Sequence, residues 1–91
     1  MTDIDMDHCF RKNEQIICKE FTDGPALIDP YRRTLIRLNP TAQDIWRLLD
    51  QNRSVTGIVN ELKEIYDTEA EELRRDVVSF LECLISREMI V

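Results

Sequence analysis

The sequence predicts a single α+β domain of the winged helix-turn-helix class, with a three-stranded antiparallel sheet followed by three helices. Two patterns lead to this prediction. Short runs of β-forming residues divided by turn residues fill the first part of the chain, and apolar stripes with helical spacing fill the rest. Ninety-one residues are enough for one small domain with a modest core. The short links between the helices favour a helix-turn-helix arrangement.

The three predicted strands are short and lie close together along the chain. Residues 15–21 are rich in β-branched and aromatic side chains and end at the turn Asp23-Gly24-Pro25. Residues 26–28 end at Asp29-Pro30, and residues 34–38 form the third segment. Because short connections join the neighbours, we expect them to pair as an antiparallel meander.

The three predicted helices each begin at a recognisable signal. Asn39-Pro40 supplies an N-cap and a first-turn proline for a helix over residues 40–51, and Ser54 is the N-cap candidate of a second helix. Thr68-Glu69-Ala70-Glu71 has the spacing of a capping box, so we expect the third helix from this point to about residue 87. The last three residues, 89–91, are candidates for a short final strand.

The third helix carries apolar side chains on more than one face. At about 100° per residue, its predicted core-facing arc contains Ala70, Leu73, Val77, Phe80, Leu81 and Leu84. Arg74, Val78 and Ile85 lie outside that arc, together on the flank beside Leu81. Two interpretations stay open for this flank: it binds a partner, or the C-terminal residues 89–91 cover it.

Composition and charge exclude several classes of protein. The chain is 43% apolar and 33% charged, as in ordinary globular domains, and no apolar run approaches the ~18 residues of a membrane span. Its net charge of −6 disfavours a general nucleic-acid binder and a partner for anionic lipid. Residues 1–9 are acidic and show no signal peptide, so we expect a flexible N-terminal segment, a domain at 10–91 and a cytoplasmic location.

A basic band interrupts this acidic chain. Residues 32–53 hold five arginines and two aspartates, a net charge of +3. One interpretation is a set of solvated surface arginines, and the other is a local site for an acidic partner.

Motifs for catalysis and metal binding are absent from the sequence. There is no phosphate-binding glycine loop, no hydrolase motif and one histidine, His8, and the three cysteines have no C-x-x-C spacing. We therefore expect no enzyme activity, no metal and no cofactor. The alternative function for a winged helix is a regulator that binds DNA or a protein partner, although carboxylates at the start of the third helix would repel phosphate, namely Glu69, Glu71 and Glu72.

One stretch resembles a known family. The run Leu38-Asn39-Pro40-Thr41-Ala42-Gln43-Asp44-Ile45-Trp46 is similar to the L-N-x-x-A-x-x-I-W segment of the PqqD family, the pyrroloquinoline quinone biosynthesis protein D proteins. Leu27-Ile28-Asp29-Pro30 resembles the L-x-D-P hairpin of that family, and further matches follow to the ending Met89-Ile90-Val91. The resemblance covers about residues 10–91.

The resemblance implies a RiPP recognition element, a domain that binds the leader of a ribosomally made precursor peptide. Such a domain presents the peptide to a modifying enzyme, often a radical S-adenosylmethionine enzyme, and takes the leader as an added strand on the third β-strand, packed on the third helix. An exposed edge strand also permits a homodimer. Carried onto this chain, the implied peptide-binding residues are Arg33, Thr34, Leu35, Ile36, Arg37 and Leu38 on the strand, with Arg74, Val78, Leu81 and Ile85 on the helix.

Overall fold

Turn chemistry organises the first third of the chain into an antiparallel sheet. The computed structural model describes residues 4–91 and contains the strands β1 (Ile17–Phe21), β2 (Gly24–Asp29) and β3 (Thr34–Arg37) in the order β1-β2-β3. Both pairings are antiparallel, as predicted. Gly24 follows the β1–β2 turn with φ +120°, a conformation that favours glycine.

The first strand begins two residues later than the sequence predicts. Asn13 closes a local turn there, since its carbonyl accepts from the Ile16 amide at 3.0 Å and its side-chain oxygen accepts from the Gln15 amide at 3.2 Å. A short polar side chain that bonds its own backbone competes with strand pairing. Pairing with β2 therefore starts only at Ile17.

The helices are α1 (Pro40–Leu49), α2 (Val55–Ile65) and α3 (Ala70–Ser86). Two predicted N-caps are confirmed, because the Asn39 side chain accepts from the Ala42 amide at 2.8 Å and the Ser54 hydroxyl accepts from the Gly57 amide at 3.1 Å. The predicted capping box is wrong. The N-cap of α3 is Glu69, which makes no side-chain capping bond.

The correction at α3 has a simple geometric cause. Because the helix begins one residue later than the capping box requires, Thr68 lies outside the N-cap position and its hydroxyl cannot serve the first turn. Glu71 and Glu72 stand in that turn instead, where their charge favours the positive end of the helix dipole.

The core lies between the inner face of the sheet and the three helices. Leu27 of β2 is fully buried, as are Leu62 of α2 and Leu81 of α3. Along α3 the buried stripe is narrower than predicted: Ala70 is exposed and Phe80 is half-buried. The first three residues of α3, 70–72, are all at the surface, which explains Ala70. The stripe that faces the core consists of Leu73, Val77, Leu81 and Leu84.

The C-terminal residues return to the N-terminal part of the domain. Met89 and Ile90 are buried, and Ile90 forms an isolated antiparallel bridge with Lys12. Arg11 and Val91 exchange two backbone hydrogen bonds of 2.9 and 2.8 Å. The predicted final strand is thus a single bridge outside the three-stranded sheet.

The acidic N-terminal segment contacts the domain. Of the predicted flexible segment 1–9, residues 1–3 lie outside the described part of the chain. In the remainder, the Met6 carbonyl accepts from the Thr56 amide at 3.0 Å, and the His8 carbonyl accepts from the Val55 amide at 3.2 Å. Ile4 and Met6 also pack against the core. Backbone carbonyls of this segment therefore satisfy amides at the start of α2, a reason for close packing that composition does not reveal.

The C-terminal bridge yields a stability prediction. Ile90 is 3% exposed and Val91 is 69% exposed, although both belong to the same bridged segment. We expect Ile90→Ala to lower the free energy of unfolding by about 2–4 kcal/mol through lost burial and a cavity. Val91→Ala is the matched control and should cost less than about 0.5 kcal/mol. Urea unfolding followed by circular dichroism measures both, and equal costs would show that the terminus is not part of the core.

Candidate functional site

The free edge of β3 is the first component of the site. In the described part of the chain, β3 pairs only with β2. The Leu38 amide donates to the Pro25 carbonyl at 3.0 Å, and the paired residues are Ile36 with Leu27 and Thr34 with Asp29. Since hydrogen-bonded and non-bonded pairs alternate in antiparallel sheets, Thr34 and Ile36 direct their backbone groups to β2. The N–H and C=O groups of Leu35 and Arg37 therefore point away from the sheet.

The turn before β3 is held by a buried carboxylate. Asp29 is 2% exposed, and its Oδ1 accepts from the backbone amides of Tyr31 and Arg32 at 3.0 and 3.2 Å. Arg32 also forms an ion pair with Glu88, directly after α3. Arg33 completes the turn with φ +55°. The L-x-D-P segment thus fixes where β3 begins and ties that point to the end of α3.

A cleft opens where β3 ends. It has a volume of about 380 Å³ and lies between the first half of α1 and the middle of α3. Its α1 side is Asn39, Thr41, Ala42 and Ile45, and its α3 side is Asp76, Ser79, Phe80 and Cys83. The half-buried ring of Phe80 and the buried Ala42 and Ile45 provide an apolar floor, and the remaining side chains provide a polar rim.

The sequence-predicted helix residues lie on the other flank of α3. Arg74 and Val78 line a separate shallow depression of about 230 Å³ formed by α3 alone, together with Glu71 and Arg75. At about 100° per residue, this flank and the one in the cleft lie on opposite sides of the core-facing stripe. The cleft, in contrast, includes Asn39, which follows shortly after β3. Ile85, also on this flank, is half-buried against the core.

Two of the expected peptide contacts belong to the core. Leu81 is fully buried and Leu38 is nearly so, so neither presents a side chain at the surface. On the strand, Leu35 and Arg37 are exposed, and Thr34 and Ile36 are half-buried. Sequence reasoning misses the cleft side of α3, because helical spacing assigns Phe80 to the core-facing arc. Asp76, Ser79 and Cys83 lie on that side of the helix, and they form no apolar stripe in the sequence.

The arginines of the basic band are mostly paired. Arg32 pairs with Asp29 and Glu88, and Arg37 pairs with Asp23. Arg47 and Arg53 pair with Asp44 and Glu61, and most of these acids lie outside the band in sequence. Exposed pairs contribute about 0–1 kcal/mol each, so their main effect is to neutralise the band. The interpretation as solvated surface arginines fits this arrangement better than a concentrated acidic-ligand site.

The described part of the chain shows neither a metal-binding cluster nor a membrane-spanning helix. Between residues 4 and 91, no three His, Cys, Asp or Glu side chains are grouped to hold a metal ion. His8 is exposed and packs edge-on against Phe10, with ring centroids 4.4 Å apart. No helix in the same range has the length and apolarity to cross a bilayer. What the site offers is unpaired backbone beside a small cleft, which is suited to binding.

The buried carboxylate that supports β3 gives a second prediction. Asp29→Ala removes the acceptor of two amides, and we expect it to lower the free energy of unfolding by about 1–3 kcal/mol. Asp29→Asn keeps an acceptor oxygen and should cost less. Asp67→Ala, at an exposed aspartate, is the control for loss of a carboxylate. Chemical unfolding measures all three, and an equal loss for Asp29→Asn and Asp29→Ala would contradict the capping role.

A third prediction concerns the contact that joins α1 to the end of α2. The Tyr66 hydroxyl donates to Asp44 Oδ2 at 2.6 Å, and this hydrogen bond, together with desolvation and the Asp44 charge, raises the pKa of Tyr66 above 10.0. Because the folded pKa is raised, the stabilisation is present below the unfolded pKa and is lost as pH rises through the folded pKa. Tyr66→Phe should cost about 1 kcal/mol at pH 7 and progressively less above pH ~10.

The matched control for that measurement is Tyr31→Phe, because Tyr31 is 77% exposed. Unfolding free energies of both variants between pH 7 and 11 separate the two tyrosines. A cost for Tyr66→Phe that stays constant across this range would exclude the Asp44 hydrogen bond as its cause.

Two solved structures share the fold of this chain, and a family model matches most of its sequence. The solved structure described as "Lasso peptide synthetase B1 complexed with the leader peptide" superposes with a TM-score of 0.81 at 24% identity, over 92% of this chain and 99% of that chain. A second, described as "TbiB1 in Complex with the TbiA(beta) Leader Peptide", gives 0.77 at 21% identity, over 88% and 93%. No curated protein matches the sequence. Residues 26–90 match the family described as coenzyme PQQ synthesis protein D (PqqD), so this chain belongs to the PqqD family.

Proposed function

We propose that this chain is a non-catalytic adaptor that binds the leader segment of a ribosomally made precursor peptide. The observation that carries the proposal is the free edge of β3, with the backbone groups of Leu35 and Arg37 directed outward, next to the cleft between α1 and α3. Family membership supports it, as do two proteins of the same fold that are described in complex with leader peptides.

Strand addition explains how so small a site would hold a peptide. Main-chain hydrogen bonds to an open edge provide affinity without reading sequence, and pockets for alternate side chains provide specificity. Ordering a disordered leader costs about 2–5 kcal/mol of the interaction energy. A preformed edge limits the further cost on the protein side, because the Asp29 turn and the Asn39 cap already hold both ends of β3.

The cleft would receive the side chains on the inward face of the added strand. Ile36 of β3 faces the core side of the sheet, so a neighbouring strand would direct alternate side chains toward the same side. Phe80 and Cys83 of α3 would then contact the peptide. The opposite flank, with Arg74, Val78 and Ile85, is the competing location for this contact.

The adaptor would deliver its peptide to a separate modifying enzyme. The chain itself has no described reaction centre, so the chemistry would reside in that partner, for which a radical S-adenosylmethionine enzyme is the family expectation. The cytoplasm is the compartment in which the three free cysteines would stay reduced. Production of pyrroloquinoline quinone is one pathway that such an adaptor would serve.

A binding experiment tests the proposal. The probes are synthetic peptides that cover the N-terminal halves of short reading frames next to the gene. Leu35→Pro removes the outward amide, and proline is tolerated on an edge strand where the N–H faces solvent. We expect calorimetry to show at least a tenfold loss of affinity for Leu35→Pro and only a few-fold loss for Leu35→Ala, which keeps the amide. Circular dichroism of both variants checks the fold.

A second form of the test moves the change to the peptide. Two versions of a binding peptide are prepared, each N-methylated at every second amide but at complementary positions. One version cannot form the backbone hydrogen bonds to Leu35 and Arg37, and the other version still can. Equal affinity of both versions would contradict strand addition. Chemical shift changes at Arg74, Val78 and Ile85 without changes at Phe80 and Cys83 would move the side-chain contact to the opposite flank of α3. Binding of duplex DNA at the start of α3 would favour the alternative function, a regulator that binds DNA.

A further inference from the structure

An apolar row crosses the face of the sheet that points away from the core. Ile17, Ile28 and Leu35 are direct cross-strand partners in β1, β2 and β3. Ile17 is 51% exposed and Leu35 is 48% exposed. Their chain neighbours Leu27 and Ile36 face the core, so the row lies on the outward face. The solvated face of an antiparallel sheet is ordinarily polar, so this apolar row is unusual.

A strand added to β3 would extend this row by one residue. Because Leu35 directs its N–H and C=O groups to the free edge, the peptide residue opposite Leu35 forms a hydrogen-bonded pair with it. Directly paired residues place their side chains on the same face, with Cβ atoms about 4.5–5.5 Å apart. That peptide residue therefore covers Leu35 on the outward face. The next peptide residue lies opposite Ile36 and points to the inward side, where the cleft opens.

We infer that the peptide recognised by this chain carries two successive large apolar residues, one for each face of the sheet. This inference rests on the proposed function and specifies its ligand. An amphipathic strand that alternates apolar and polar residues would fill the cleft side but leave Leu35 and its row exposed to water. Leu35 is thus a specificity-determining residue that reads the outward side chain, and Phe80 lines the surface for the inward one.

Charge at the neighbouring positions fits a peptide and disfavours a second copy on this face. Phe21 is on the same outward face, with Lys19 and Arg37 each 5.7 Å from its ring centroid. Arg37 is paired with Asp23, but two copies that met through this face would still bring their Lys19 ammonium groups together across a two-fold axis. A single strand at the β3 edge covers Leu35 without that repulsion.

Selection from a display library of random dodecapeptides tests the inference on the whole 91-residue chain. For the unchanged chain we expect enriched peptides to share two adjacent apolar positions. Peptides selected on the Leu35→Lys variant should carry Asp or Glu at one of these positions and keep the other apolar, because opposite charges pair well across strands. The matched control is Ile17→Lys, at the far end of the row, which should leave the motif unchanged. In a synthetic copy of a selected peptide, replacing the outward residue by Ser should weaken binding up to about fivefold.

The outcomes separate this inference from the proposed function. If peptides selected on Leu35→Lys keep the same two apolar positions, Leu35 does not read the peptide and the inference is wrong, while strand addition stands. If Leu35→Pro selects the same peptides as the unchanged chain, or if the unchanged chain enriches none, strand addition itself fails. Circular dichroism of each variant shows whether a lost motif comes from unfolding. The Ser substitution at the outward position of the peptide tests the contact with Leu35 without changing the protein.

Discussion

A four-residue edge strand held by a side-chain cap at each end is the constraint on which the site depends. Before β3, the buried Asp29 carboxylate accepts from two turn amides, and after it Asn39 accepts from the Ala42 amide and begins α1. Both caps are local, because each side chain reaches a backbone group two or three residues away. Together they fix the position of the strand while leaving the outward groups of Leu35 and Arg37 without a partner in the sheet.

An open edge is also a risk, since it can pair with any extended chain. This domain limits the risk through the shortness of β3 and the arginines that flank its exposed leucine, Arg33 and Arg37. The ion pairs of the basic band have a structural consequence as well. Arg32 joins the β2–β3 turn to Glu88 after α3, so the edge and the third helix are positioned relative to each other. Arg37 at the end of β3 pairs with Asp23 in the β1–β2 turn, which lies at the same end of the sheet.

Local signals predicted the architecture well. Strand order, three helices and the caps at Asn39 and Ser54 follow from turn residues, β-forming runs and 3.6-residue periodicity, all of which act over a few residues. The capping box at Thr68 failed because α3 begins one residue later than the pattern requires, so that Thr68 is not the N-cap. The packing of Met6 and His8 on α2 uses backbone carbonyls, so no side-chain pattern could indicate it.

The site was harder to predict than the fold. Periodicity identified a core stripe on α3 and an apolar flank beside it, but a helical wheel gives no information about which flank faces the sheet. That choice depends on how α3 crosses α1, a tertiary property. The pairing of the basic band also depends on tertiary structure, because Glu61 and Glu88, which neutralise two of its arginines, lie outside the band in sequence. Residues with no apolar signal, Asp76 and Ser79, consequently line the cleft.

Amide hydrogen exchange along β3 tests the central claim most directly. In the free chain, the amides of Ile36 and Leu38 should be protected by β2, whereas those of Leu35 and Arg37 should exchange rapidly. A bound peptide should protect Leu35 and Arg37 and remove this alternation. Protection of Leu35 and Arg37 in the free chain, or their continued rapid exchange in a peptide-saturated sample, would contradict recognition by strand addition at β3.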